Sequence, residues 1–129
     1  MRLRYHRIWL ALGGLGIAIV ILISLMPNPP SPLTFDQSDK LSHFLAYGLL
    51  MLWFCQMYTE SAWRGGLALT FVALGVGLEF LQGLTPHRSY EVLDMAANTS
   101  GVLSGWLLAT TPLAQGLRLF EARCLAWKA

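Results

Sequence analysis

Three short sets of residues in this chain carry side chains suited to chemistry. Asp39, Lys40, His43 and Tyr47 form the first, Glu79 and Gln82 the second, and Asp94 and Asn98 the third, with Arg88 between the last two. One helical turn takes 3.6 residues, so intervals of three, four, seven and eleven share a face. Lys40, His43 and Tyr47 obey that spacing, as do Glu79 and Gln82, and Asp94, Asn98, Gly101 and Gly105. His43, whose unperturbed pKa lies near neutrality, and the carboxylate of Glu79 are the acid/base candidates. Arg88 and Lys40 suit an anion, Arg88 bidentately. Asp39, Tyr47, Gln82, Asp94 and Asn98 complete a candidate ligand-binding set around them.

The same residues have plainer readings. Glu79 can be an ion-pair partner of Lys40 or Arg88 that fixes helix register, and His43 an interfacial histidine bonded to Asp39 or Tyr47. Arg88 can anchor a helix end at lipid headgroups, and Asn98 can bond between helices. Asp39, His43, Glu79, His87 and Asp94 include metal-ligating types, but without HExxH or a cysteine pair neither a metal nor any other cofactor is expected. Cys55 and Cys124 stand apart and read as packing residues. No glycine-rich phosphate loop, nucleophile elbow or nucleic-acid patch is present, so no nucleic-acid partner is expected.

The elements that carry these residues are apolar blocks. Of 129 residues, 55% are hydrophobic and only 12% charged, with a mean hydropathy of +0.52. Spanning hydrocarbon takes about 20 apolar residues per helix, which leaves room for four helices and no separate soluble domain. The blocks place them at about 9–26, 39–58, 63–84 and 92–111, in one domain over 1–112. The first, behind MRLRYHR and with Tyr5 and Trp9 as interfacial anchors, is longer than a signal-peptide core and is expected to be retained. A Pro-rich stretch containing Pro27, Pro29, Pro30 and Pro32 makes the first loop, and Pro86 closes the third helix. The second and third helices, joined by a short link, are expected to be antiparallel neighbours. In the tail, 113–129, Leu113, Leu117, Phe120, Cys124 and Trp127 form a stripe, which predicts a cytoplasmic amphipathic helix on a membrane surface.

Charge sets the orientation. Arg2, Arg4, Arg7, Arg64, Arg118, Arg123 and Lys128 fall on one side, against Lys40 and Arg88 on the other, so the positive-inside rule puts both termini of a multi-pass inner-membrane protein in the cytoplasm. All three polar sets then lie within two turns of the outer surface. Charged groups at mid-membrane cost roughly 2.5–3.5 kcal/mol on insertion scales, less near the interface, and are functional-site candidates by default. Ala97, Gly101 and Gly105, spaced by fours, offer a small-residue face for close helix packing, within the chain or between copies.

Asp39-Lys40-x-x-His43 with Tyr47, Glu79-x-x-Gln82, Arg88, and Asp94-x-x-x-Asn98-x-x-Gly101-x-x-x-Gly105 together resemble the VanZ-like family of small bacterial membrane proteins, over about 38–108. That family is named for a protein associated with resistance to the glycopeptide teicoplanin, so the resemblance implies a role at the cell envelope without supplying a reaction. The expected fold is an all-α membrane protein, a compact bundle of four transmembrane helices with a short C-terminal amphipathic helix. The expected function is recognition of an anionic envelope molecule, such as a peptidoglycan precursor, at an outward-facing polar site. Membrane lipids, another membrane protein or a second copy are further partners in view. A structural or assembly subunit, or a small dimeric proton-coupled transporter, are the alternatives.

Overall fold

The computed structural model describes residues 3–30 and 34–126, so Arg2, Pro32, Trp127 and Lys128 lie outside the described residues. The described chain is all helical: α1 His6–Leu25, α2 Ser38–Met57, α3 Ser61–Gly83, α4 Val92–Leu108, a 3-10 turn at Pro112–Gln115, and α5 Gly116–Ala126. Two helices, α1 and α3, are long and apolar enough to cross a membrane, with mean hydropathies of 2.6 and 1.5. The other two long helices are more mixed: α2 opens on Asp39, Lys40 and His43, and α4 has 17 residues, about 26 Å at 1.5 Å per residue.

The tightest pairing is α2 on α4, while α2 also meets α3, its neighbour across the short Tyr58–Glu60 link. The reason is steric. Gly101 lies against the backbone carbonyl of Phe44, and Gly105 against that of Gly48, where a Cβ would collide with backbone. Only residues without a side chain let two helices approach so closely. Both contacts step by four residues in the same direction, so α2 and α4 run parallel, and α3 packs on both, more extensively on α4.

Below this crossing lies the apolar core, with Tyr47, Leu50, Met51, Phe54 and Cys55 from α2, Ala68 and Phe71 from α3, and Val102 and Ala109 from α4. Phe54 and Phe71 meet with ring centroids 5.5 Å apart. α1 leans on this core, and Trp53 Nε1 donates to the Trp9 carbonyl at 3.0 Å. The far face of α1 is bare: Ile8, Leu12, Leu15, Ile19 and Leu22 are exposed. So continuous an apolar surface belongs against lipid or another protein.

The helix ends explain two charged residues. Arg64 donates to the Tyr58, Cys55 and Ala109 carbonyls at 3.0, 2.9 and 3.4 Å, capping the C-terminal ends of α2 and α4. At the start of α1, Tyr5 supplies no side-chain cap. Glu121 of α5 takes that part, accepting from the Arg4 and Tyr5 backbone N–H groups at 2.8 and 2.9 Å and from Trp9 Nε1 at 2.7 Å. Consequently α5 buries Leu117 and Glu121, while Leu113, Phe120 and Cys124 of the expected stripe are exposed.

Candidate functional site

The start of α2, the end of α3 and the start of α4 converge at one end of the molecule. α4 begins after Glu91 with Asp94 in its first turn, a favourable place for a negative charge at the positive end of the helix dipole. α2 begins after Gln37, which takes a left-handed turn at φ 58°, with Asp39 in the first turn. Gly75 of α3 leaves space for the Asn98 side chain. These local features bring His43, Glu79, Asp94 and Asn98 into one buried layer.

His43 is its hub. Its Nδ1 lies 3.0 Å from Asn98 Oδ1, and its Nε2 lies 3.6 Å from Asp94 Oδ2. Ligand atoms of His43, Glu79 and Asp94 all fall within 4.8 Å of one another. Glu79 is only 1% exposed, and its Oε2 accepts a long bond, 3.4 Å, from the Glu91 backbone N–H. Among the described residues no Lys or Arg forms an ion pair with it. His43 pairs with Asn98 and Asp94, rather than with Asp39 or Tyr47.

Lys40 sits among carboxylates. Its Nζ lies 2.8 Å from Glu91, 3.1 Å from Asp39 and 3.2 Å from Asp94 Oδ1. So held, it is less available to read an external anion than the sequence leads one to expect. Glu91, the shortest of these contacts, was absent from the candidate set, although it stands three residues before Asp94 and so on the same side of the helix start.

Gln82 turns toward α1. Its Nε2 donates to the Ser24 carbonyl at 2.6 Å, satisfying a helix-end carbonyl, and its Oε1 is buried without a partner. The Tyr47 hydroxyl is likewise buried and unpartnered. Ala97 is half-buried, and His87 is exposed and outside the cluster.

A cavity of ≈ 260 Å³ opens beside this layer, lined by Asp39, His43, Tyr47 and Arg88 on its polar side and by Val20, Ile23, Pro29 and Pro30 among its apolar walls. Arg88 makes no ion pair among the described residues. A larger cavity, ≈ 730 Å³, lies at the opposite end between the start of α1 and the end of α2, lined by Arg4, Arg7 and Arg118 among others, away from the His43 cluster.

A family model described as VanZ/LLP1 matches residues 8–115. The chain belongs to the VanZ/LLP1 family. The matched VanZ/LLP1 region runs from α1 through the 3-10 turn, so it contains every residue of the polar layer and leaves α5, with Glu121, outside. A Schizosaccharomyces pombe protein described as uncharacterized is 33% identical over 103 residues, 73% of this chain and 60% of its own length. The chain thus spans about 60% of the relative it matches. No solved structure matches. Family membership together with two membrane-length apolar helices suggests membrane association.

Proposed function

We propose that this protein is a four-span membrane protein, with both termini in the cytoplasm, that recognises the anionic headgroup of an envelope lipid at its outward end. The observation that carries the reading is the cavity shared by Arg88, His43, Asp39 and Tyr47. At ≈ 260 Å³ it is smaller than the roughly 300–1,000 Å³ of drug-sized ligand sites, so it suits a headgroup rather than a whole amphiphile. Its apolar walls suit the start of a hydrocarbon chain. Arg88, unpaired among the described residues, reads the anion. Lys40 keeps the helix starts together.

A relative in a yeast favours a headgroup common to bacterial and eukaryotic membranes, and lipid-linked phosphate meets that condition. In a bacterial envelope the lipid-linked wall precursors carry such phosphate, which connects the site to glycopeptide susceptibility. The assembly-subunit reading draws support from a different feature, the bare apolar face of α1. The two part on Arg88, since that face does not involve it.

The deciding experiment measures binding of a polyprenyl phosphate and of the uncharged polyprenol to purified protein, for wild type and Arg88→Ala. The reading expects at least tenfold preference for the phosphate, lost in the variant while membrane accumulation is unchanged. Equal binding of phosphate and alcohol by the wild type would remove it.

A further inference from the structure

The polar end of the bundle holds more negative charge than its cations balance. Asp39, Glu79, Glu91 and Asp94 face one lysine, Lys40, with Arg88 at the cavity edge. Lys40 accounts for Asp39, Glu91 and one oxygen of Asp94. What remains on the other side is Glu79 and Asp94 Oδ2, both residues buried, beside a histidine.

The histidine is prepared for a particular role. With the Asn98 amide oxygen toward the ring, Nδ1 carries the proton and donates at 3.0 Å. Nε2 faces Asp94 Oδ2, 3.6 Å away, and His43, Glu79 and Asp94 each bring a ligand atom within 4.8 Å of the others. Three electron-rich atoms that converge in a buried place repel one another unless something positive stands between them. A histidine that donates one ring N–H to an amide or carbonyl oxygen while offering the other nitrogen is the usual arrangement of a metal ligand. Ligands about 2.1 Å from a tetrahedral ion lie about 3.4 Å from one another, close to the 3.6 Å separation seen here.

A second observation points into the same place. Tyr47 is 1% exposed and its hydroxyl has no partner among the described residues. It lines the same cavity as His43. A cation with bound water beside Glu79 would give this hydroxyl something to bond.

We propose that His43 Nε2, Glu79 and Asp94 bind one divalent first-row cation, Zn²⁺ or Mn²⁺, in the polar layer. One nitrogen and two carboxylates suit these ions better than Ca²⁺ or Mg²⁺, which take all-oxygen shells. Three protein ligands leave a position open, as in sites that act on a ligand rather than merely brace a fold. The second acidic group, Asp39, Glu91 and Asp94, already has its positive charge in Lys40. Such a site needs no HExxH motif. Here the ligands come from three helices rather than one.

The test uses the full chain purified in detergent, stripped with chelator and titrated with Zn²⁺, Mn²⁺ and Mg²⁺, with metal content and thermal unfolding both read. The expected result is one Zn²⁺ or Mn²⁺ per chain, with a rise in Tm of the wild type and no comparable effect of Mg²⁺. Glu79→Gln and His43→Gln lose the ion, Asn98→Ala weakens it about 10–100-fold through the ring orientation, and Asp39→Asn keeps it. Wild type that neither holds stoichiometric metal nor gains Tm overturns the proposal, the lone pair of His43 then being occupied by a proton. Loss of metal in Asp39→Asn with retention in Glu79→Gln overturns it too. No lipid enters this measurement, so its failure is separate from failure of headgroup recognition through Arg88.

Discussion

Glu121 accepts a hydrogen bond from the Trp9 indole N–H at 2.7 Å, joining residues 112 positions apart at the two ends of the chain. With the Arg4 and Tyr5 backbone donors, it fixes the chain as it enters α1, satisfying the N–H of Tyr5 at the helix start. Burial pushes the Glu121 carboxyl up. The Trp9, Tyr5 and Arg4 donors and the Arg4 charge outweigh that and leave it below its ordinary 4.5.

The sign of the pH effect follows. A carboxylate whose pKa is lower folded than unfolded stabilises the fold fully above the unfolded value, and the contribution is lost as pH falls through the folded one. Thermal unfolding in detergent between pH 7 and pH 3 is expected to show wild type losing Tm below about pH 4.5. Glu121→Gln starts lower and loses less over the same range. Parallel curves for the two proteins would count against the cap.

Gly101→Ala and Gly105→Ala each place a methyl group on the backbone of α2, at the Phe44 and Gly48 carbonyls. Overpacking of this kind costs about 1–3 kcal/mol, occasionally more, and here rigid backbone must move. Gly77→Ala meets nothing within 4 Å and is expected to leave stability unchanged or raise it by up to about 1 kcal/mol through helix propensity. Size-exclusion profiles and melting curves of the three variants check the contrast.

Arg64 is expected to matter more than a lone positive charge in a link. Arg64→Ala leaves the Tyr58, Cys55 and Ala109 carbonyls without these donors, at about 1–3 kcal/mol for each buried group left unsatisfied. Lysine keeps the charge and loses the fork, so Arg64→Lys should recover less than half of the loss in Tm. Full recovery would mean that charge alone is what the position supplies.

Lys40→Met strips Asp94, Asp39 and Glu91 of their shared cation. Breaking a buried ion pair costs about 3–5 kcal/mol. The cost here should fall below that range because Lys40 keeps some solvent contact. Arg88→Ala, with no ion pair to lose among the described residues, should melt with wild type. Equal destabilisation by the two substitutions would show that Arg88 belongs to the same brace.

The sequence made the polar layer legible because helical spacing is a local property: Asp94 and Asn98 share a face whatever α4 packs on. It also revealed Gly101 and Gly105 as a contact face. The neighbour was not legible, since a short link says which helices are adjacent in order, not which glycines meet. Nor did periodicity disclose the cap at Glu121. That carboxylate is buried because of a need in α1, more than a hundred residues earlier, and a helical wheel of α5 contains no trace of it. The bond from Gln82 to the Ser24 carbonyl is hidden for a similar reason, since a backbone carbonyl carries no motif of its own.

The pairing of Lys40 with Glu91 spans 51 positions, and this separation has a meaning in time. At about 5–20 residues per second, a ribosome finishes Glu91 roughly 3–10 s after Lys40. Throughout that interval α2 exists with only Asp39 beside the ammonium at its start and no α4 to lean on. Lysine suits such a wait, since its long stem lets the charge reach the aqueous boundary and withdraw later. The emergence of α4 therefore brings Glu91, Asp94 and the glycine face together, and completes the polar layer that α2 and α3 begin.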